Sequence, residues 1–128
     1  MIQELLKNKT ALRLIQMNII QADVKNLPIR DMSLDLMFFV LILHHITNPL
    51  KLVQDSLKLL KRKGTIVIID FLKHNQKELA DTMSDLWLGF QPEIFKKFAR
   101  SNGLVLRSEG KFDRNKNLNT FYQIWQKK

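Results

Sequence analysis

Two short apolar runs restrict the fold of this chain more than any other feature of its sequence. LDLMFFVLI, residues Leu34–Ile42, is almost uninterrupted, and TIVII, residues Thr65–Ile69, is β-branched at every position. Runs of this kind are typical of strands buried on both faces of a parallel sheet, whereas a helix of that length would need apolar side chains all round. The sequence therefore predicts two buried strands.

The segment between the two runs has the pattern of an amphipathic helix. Asn48 and Pro49 suit its N-cap and first turn, apolar residues follow at helical spacing, and Lys63 and Gly64 are expected to end it. Strand, helix and strand form a βαβ unit of an open α/β sheet, whose functional surface lies at the carboxyl ends of its strands.

The rest of the chain, residues 1–128, is predicted to complete one α/β domain. In chain order, the other predicted elements are a helix over Met1–Lys9, a strand over Asn18–Asp23, a helical excursion over residues 74–89, a helix over Pro92–Asn102 ended by Gly103, and strands over Leu104–Arg107 and Thr120–Trp125. The last two flank the polar sequence FDRNKNLN, which predicts an antiparallel hairpin. Parallel strands with this hairpin, covered by helices on both faces, are the expected architecture.

Composition excludes several kinds of site. The chain has no cysteine, which rules out disulfides, iron–sulfur clusters and thiolate zinc sites. No apolar stretch approaches the roughly 20 residues of a membrane span, and the charged N-terminus does not look like a signal peptide, so we expect a cytoplasmic chain without a membrane partner. The net charge of +9 is spread along the chain; a solvated basic surface is therefore favoured over a nucleic-acid groove, and the one compact cluster is Lys58, Lys61, Arg62 and Lys63.

Several short motifs occur in one fixed order. ADVKNLPIRDMSLDLMFFVLILHHITNP, residues 22–49, has an acidic residue, a Leu-Pro, a Ser-x-Asp-Leu strand and a Leu-His-His; LLKRKGTIVIIDF and DLWLGF follow. Each motif alone is weak, but their joint order resembles the class I S-adenosylmethionine-dependent methyltransferases over about nine tenths of the chain. The resemblance implies a Rossmann-like, small-molecule methyltransferase whose sheet strands three to seven are present, that is, the C-terminal two thirds of the domain.

The glycine pattern departs from that family. The four glycines are Gly64, Gly89, Gly103 and Gly110; none precedes the first predicted strand, and no G-x-G occurs. The glycine-rich cofactor loop, sheet strands one and two and the ribose-binding acid are therefore expected to be absent. Their absence would expose an edge of Leu34–Ile42, and we expect Asn18–Asp23 to close against that edge or a second copy to pair there as a homodimer.

The resemblance implies five cofactor-binding residues. Asp23 would accept a hydrogen bond from the adenine amino group of S-adenosylmethionine, and the Val24 N–H would donate to the ring. Phe39, Val40 and Leu41 would lie beside the transferred methyl group. Read from the residues alone, Asp23 caps the following turn and the apolar three belong to the core.

His44, His45 and Asp70 are the candidate catalytic residues. The resemblance places the histidines at the mouth of the pocket, where imidazole can act as a general base, and places Asp70 at a strand end, where it can orient the substrate. Structural histidines and a capping aspartate are the alternatives. Adjacent histidines point apart and no carboxylate stands at i+3 or i+4, so no metal site is predicted. Trp87, Gly89 and Phe90 resemble a lid segment or form a satellite core.

Two main functions remain open, and a third, weaker one is that of an unrelated small α/β regulatory domain, against which only the uninterrupted order of the motifs argues. In the first, the chain belongs to a methyltransferase that acts on a small-molecule acceptor, and alone it is inactive or binds cofactor weakly. In the second, it is a non-enzymatic interaction module that binds a protein or RNA.

Overall fold

A computed structural model describes residues 3, 4, 7, 18–113 and 118–128, with only the backbone at Leu79. Its elements are β1 (Leu34–Val40), α1 (Pro49–Ser56), β2 (Leu60–Phe71), α2 (Lys77–Met83), α3 (Glu93–Ser101), β3 (Leu104–Phe112) and β4 (Thr120–Lys127), with single 3₁₀ turns at Leu43–His45 and Leu57–Leu59. Within these residues, no helix is both long and apolar enough to cross a membrane.

The four strands form one mixed sheet in the order β1-β2-β4-β3. β1 and β2 are parallel, and β4 runs antiparallel to both β2 and β3. The predicted α/β class, the βαβ unit and the C-terminal antiparallel pair are confirmed. The hairpin strands are longer than predicted, and Arg114–Asn117, in the loop between them, lies outside the described residues.

α1 begins as predicted but ends early. The Asn48 side chain accepts a hydrogen bond from the Lys51 N–H at 3.1 Å, and Pro49 occupies the first turn. The prediction that the helix continues to Lys63 and Gly64 is wrong, because β2 already starts at Leu60. Leu60 is fully buried and pairs with β1, so burial in the sheet overrides the helical spacing of the apolar residues.

The predicted strand over Asn18–Asp23 is also wrong. These residues have no regular structure and no strand partner. The Asp23 carbonyl accepts a hydrogen bond from the Asn26 N–H at 2.9 Å, and an Asp23 side-chain oxygen accepts one from the Lys25 N–H at 2.9 Å. A local turn therefore uses the Asp23 carbonyl and the Lys25 N–H, which could otherwise form hydrogen bonds to a neighbouring strand. The expected pairing of this segment with β1 does not occur.

Two other predictions are only partly met. Of the Met1–Lys9 helix, the described residues are Gln3, Glu4 and Lys7, which are helical and exposed; the others lie outside the described part. The excursion over residues 74–89 contains α2, and an irregular segment then leads to Phe90, which forms an isolated bridge with Leu72. Gly103 ends α3 in the left-handed conformation, as predicted.

The main core lies between one face of the sheet and the helices α1 and α3. Its buried side chains are Phe39, Leu43, Leu52, Val53, Leu60, Ile66, Ile68, Phe90, Phe95 and Phe121. Ala99, Leu104 and Trp125 extend the core at the far end of the sheet. α1 and α3 are the described α-helices that contribute buried side chains to these two clusters.

The opposite face of β1 is open. Phe39 points into the core. Leu36, Phe38 and Val40, whose side chains point to the other face of the strand, are 47%, 59% and 50% exposed. Side chains alternate along a strand, so these three lie on the uncovered face. The prediction that β1 is buried on both faces is therefore wrong within the described residues.

Candidate active site

The carboxyl ends of the parallel strands β1 and β2 meet at one edge of the sheet. Directly after β1, Leu41 takes a left-handed backbone conformation with φ of 51°, and its N–H donates to the Ile69 carbonyl at 2.8 Å. Positive φ at a leucine costs about 1 kcal/mol or more and is found most often at functional sites. The turn leads into Leu43–His45 and sets His44 against the end of β2.

Asp70 is the anchor of this edge. Its side chain is fully buried and accepts hydrogen bonds from the Leu43 N–H at 3.0 Å and the Phe71 N–H at 2.8 Å. A third partner is Nδ1 of His44 at 2.6 Å. An ionised carboxylate only accepts, so beside an ionised Asp70 the hydrogen between the two groups lies on Nδ1 of His44, and Nε2 is on the side of the ring towards Asp85.

Asp85 completes the cluster, and sequence reasoning missed it. Its Oδ1 lies 3.5 Å from Nε2 of His44 and 3.3 Å from Nδ1 of His45, yet this buried atom has no hydrogen-bond partner among the described residues. Asp85 is the first residue of the DLWLGF motif, and the predicted lid residues of that motif were Trp87, Gly89 and Phe90. No local spacing pattern could have found it, because it lies some 40 residues beyond the histidines.

Backbone hydrogen bonds hold the Asp85 segment against the histidine turn. The His44 carbonyl accepts from the Leu86 N–H at 3.0 Å and from the Trp87 N–H at 3.1 Å. The Trp87 indole also donates to the Ile46 carbonyl at 2.8 Å. The expected lid segment therefore packs directly on the predicted catalytic pair.

The predicted cofactor residues are spread over three environments. Val24 is half-buried and lines a cavity of about 520 Å³ that is also lined by His45. Asp23, the residue before Val24, is exposed and caps its own turn by accepting from the Lys25 N–H. This is the capping role that the residues alone predict. Phe39 belongs to the core, and Val40 faces the open side of the sheet. Leu41 lies in the turn directly after β1.

The residues present fit only part of S-adenosylmethionine. Val24 lines the cavity, and Asp23 precedes it with an exposed carboxylate that accepts from the Lys25 N–H; a carboxylate followed by a backbone N–H is the acceptor and donor pair that an adenine edge takes. A cradle for the amino acid end needs glycine backbone at the sheet edge. Gly64 and Gly103 lie near the amino ends of β2 and β3, Gly110 lies within β3 under the Tyr122 ring, and Gly89 packs on the backbone of Phe71 and Leu72 at the end of β2. The four glycines are isolated from one another in the sequence and form no G-x-G motif.

The chain belongs to the methyltransferase domain family. Residues 1–68, just over half of the chain, match the family described as "Methyltransferase domain". This is a family of S-adenosylmethionine-dependent enzymes, and the predicted membership is confirmed. No protein of curated function shows a significant match to the chain.

Solved structures show the same fold. A proposed sarcosine dimethylglycine methyltransferase from Galdieria sulphuraria superposes with a TM-score of 0.75 at 14% identity, covering 94% of this chain and 63% of that one. An S-adenosylmethionine-dependent methyltransferase from Aquifex aeolicus superposes with a TM-score of 0.71 at 15% identity, covering 94% of this chain and 60% of that one. The MccD protein superposes with a TM-score of 0.69 at 17% identity, covering 94% of this chain and 73% of that one. The chain thus spans less than two thirds of the first two.

Proposed function

We propose that this chain provides the adenine and acceptor side of an S-adenosylmethionine-dependent methyl-transfer site for a small-molecule acceptor. Alone, it binds the cofactor weakly and is inactive. The observation that carries the proposal is the meeting of the predicted residues His44, His45 and Asp70 at the carboxyl ends of β1 and β2, the edge at which α/β sheets bind ligands. The missing glycine cradle supports the second part.

The two histidines would have different tasks. Both ring nitrogens of His44 face carboxylates, Asp70 on one side and Asp85 on the other, and the ring is 3% exposed. His44 is therefore a positioning residue in this proposal. His45 is exposed and lines the cavity shared with Val24, so it is the predicted residue with the best access to an acceptor. The bound cofactor supplies an electrophilic methyl group, and the chain orients the acceptor and excludes water.

Calorimetry with S-adenosylmethionine tests the first part of the proposal. The isolated chain should show no binding with a micromolar Kd, because it lacks the backbone donors for the amino acid end. Micromolar binding by the chain alone would contradict the claim that its cofactor site is incomplete.

The complementary test restores the missing part. The DNA immediately upstream should be read for a strand followed by G-x-G-x-G, and coexpression of a segment with that pattern should produce micromolar binding. Asp23→Ala should then weaken binding by about tenfold, as for one lost hydrogen bond to a ligand, whereas Asp81→Ala, an exposed change on α2, should not. Equal effects of the two substitutions would argue against the adenine role of Asp23.

The alternative is an interaction module, and the open side of β1 is the observation that favours it. Among the described residues, β1 has an unpaired edge beside exposed Phe38 and Val40, an arrangement that invites pairing with a second copy. RNA binding is less favoured, because Lys61 of the basic cluster is already paired with Asp35 at 2.8 Å. Binding driven by phosphate contacts should weaken steeply with salt, whereas an apolar contact between subunits should not.

A further inference from the structure

We propose that His44, His45 and Asp85 form a binding site for a zinc-type divalent cation. The side-chain ligand atoms of the three residues all lie within 4.8 Å of one another. The site is a property of the chain itself and does not depend on the proposed methyl transfer.

The spacing of the donor atoms suits a tetrahedral ion. Zinc bonds of about 2.0–2.2 Å to nitrogen and oxygen place neighbouring ligand atoms roughly 3.3–3.5 Å apart. Oδ1 of Asp85 lies 3.3 Å from Nδ1 of His45 and 3.5 Å from Nε2 of His44. The two imidazole nitrogens lie within 4.8 Å of each other, so the imidazoles close on the ion, and Nδ1 of His45 exchanges its 3.4 Å contact with the Ser84 carbonyl for the metal bond.

Asp85 is the independent sign of a ligand. Its side chain is 2% exposed, and Oδ1 has no hydrogen-bond partner among the described residues. A buried carboxylate oxygen without a partner is costly. A cation between Asp85 and the two imidazoles would remove that cost.

Asp70 supplies the outer support that metal-binding histidines usually have. It holds Nδ1 of His44 at 2.6 Å and is itself fixed by the backbone N–H groups of Leu43 and Phe71. This arrangement directs the lone pair of Nε2 towards Asp85. A carboxylate bound to the far nitrogen of the ring fixes its orientation and raises its basicity as a ligand.

The donor set selects the ion, and exposure decides access. Two imidazoles and one carboxylate suit zinc and its neighbours, whereas magnesium and calcium prefer all-oxygen sites. The His45 side chain is 39% exposed while the other two ligands are buried. The ion can enter from the His45 side, and its fourth position faces solvent there. Three protein ligands with an open position are the arrangement of zinc sites that bind water or substrate.

The test measures metal binding by the untagged full chain. Zinc should bind at one equivalent in calorimetry, and cobalt should give the intense visible absorption of a four-coordinate site. Asp85→Asn and His45→Gln should each reduce zinc affinity by more than about 100-fold, and Asp70→Asn by about 10–100-fold, as for an outer-shell partner. The matched controls Asp81→Asn and His74→Gln should bind like the parent chain.

Circular dichroism checks that each variant is folded. Absence of zinc and cobalt binding by the parent chain would overturn the proposal, and so would unchanged affinity in Asp85→Asn and His45→Gln. A third overturning result is nitrogen NMR of the parent chain with zinc present that shows protons on both nitrogens of His44. That ring would then be an imidazolium between Asp70 and Asp85. Because S-adenosylmethionine is not used, failure here is separate from failure of the proposed function.

Discussion

Replacing Gly89 with alanine is expected to destabilise the chain much more than the same change at Gly103. Both residues have left-handed backbones, with φ of 71° and 69°, so the conformational cost of a Cβ atom is the same at both, about 1 kcal/mol. No heavy atom lies within 4 Å of a Cβ built at Gly103. At Gly89, such an atom would lie 2.3 Å from the Leu72 carbonyl oxygen and 2.9 Å from that of Phe71.

The clash at Gly89 cannot be relieved by a side-chain rotation, because the atoms it meets are backbone. The segment must move by about 1 Å, since ordinary contact needs about 3.4 Å. Two hydrogen bonds would be lost, from the Phe90 N–H to the Phe71 carbonyl at 2.8 Å and from the Lys73 N–H to the Phe90 carbonyl at 3.0 Å. At roughly 0.5–1.5 kcal/mol each, together with the left-handed cost, they give about 2–4 kcal/mol for Gly89→Ala against about 1 for Gly103→Ala.

Equilibrium urea unfolding measures the two free energies. All samples should have the same protein concentration, because association would shift apparent stability, and the slope with urea should be unchanged. The prediction requires a gap of about 1 kcal/mol or more between the variants. If they agree within about 0.5 kcal/mol, the contact between Gly89 and the end of β2 is not what holds the Asp85 segment in place.

Three further outcomes follow from single contacts. Light scattering should show a dimer for the isolated chain and a monomer for Phe38→Lys, because a charge on the open face of β1 opposes pairing; a monomeric parent chain would remove the homodimer proposal. The salt bridge from Lys96 lowers the pKa of Glu109, so its stabilisation is present above the ordinary carboxyl pKa and is lost as pH falls through the folded-state value. Glu109→Gln should remove that contribution, and melting temperatures that differ from those of the parent chain equally at every acidic pH would contradict it. Asn48→Ala should cost about 1 kcal/mol by removing the cap on Lys51, and urea unfolding with no loss would show that the cap is not needed.

Local signals in the sequence were enough for the elements whose pattern and environment agree. TIVII became the centre of β2, the Asn48-Pro49 start of α1 was correct, and Gly103 ended α3. Each depends on backbone preferences or on burial between neighbouring strands. The predictions failed where pairing decided the outcome, as at the end of α1 and in Asn18–Asp23.

The candidate site divides in the same way. Asp70 was predicted because it ends a predicted strand, where ligands of α/β sheets bind. His44 and His45 were predicted because the family resemblance places such a pair at the mouth of the pocket. Asp85 was not found, because its relation to the histidines comes from the return of the chain after α2. A metal site was rejected for want of a nearby carboxylate, and the fold supplies that carboxylate from a distant segment.

The amino-acid sequence by itself determined the family and the α/β class, and it contains no G-x-G in residues 1–128, because motif order and residue identity do not depend on packing. The tertiary structure decided the open face of β1 and the cluster of His44, His45 and Asp85. Both are consequences of which segments meet in space. The free energy of such meetings comes from burial and pairing between residues far apart in the chain, and no local pattern records it.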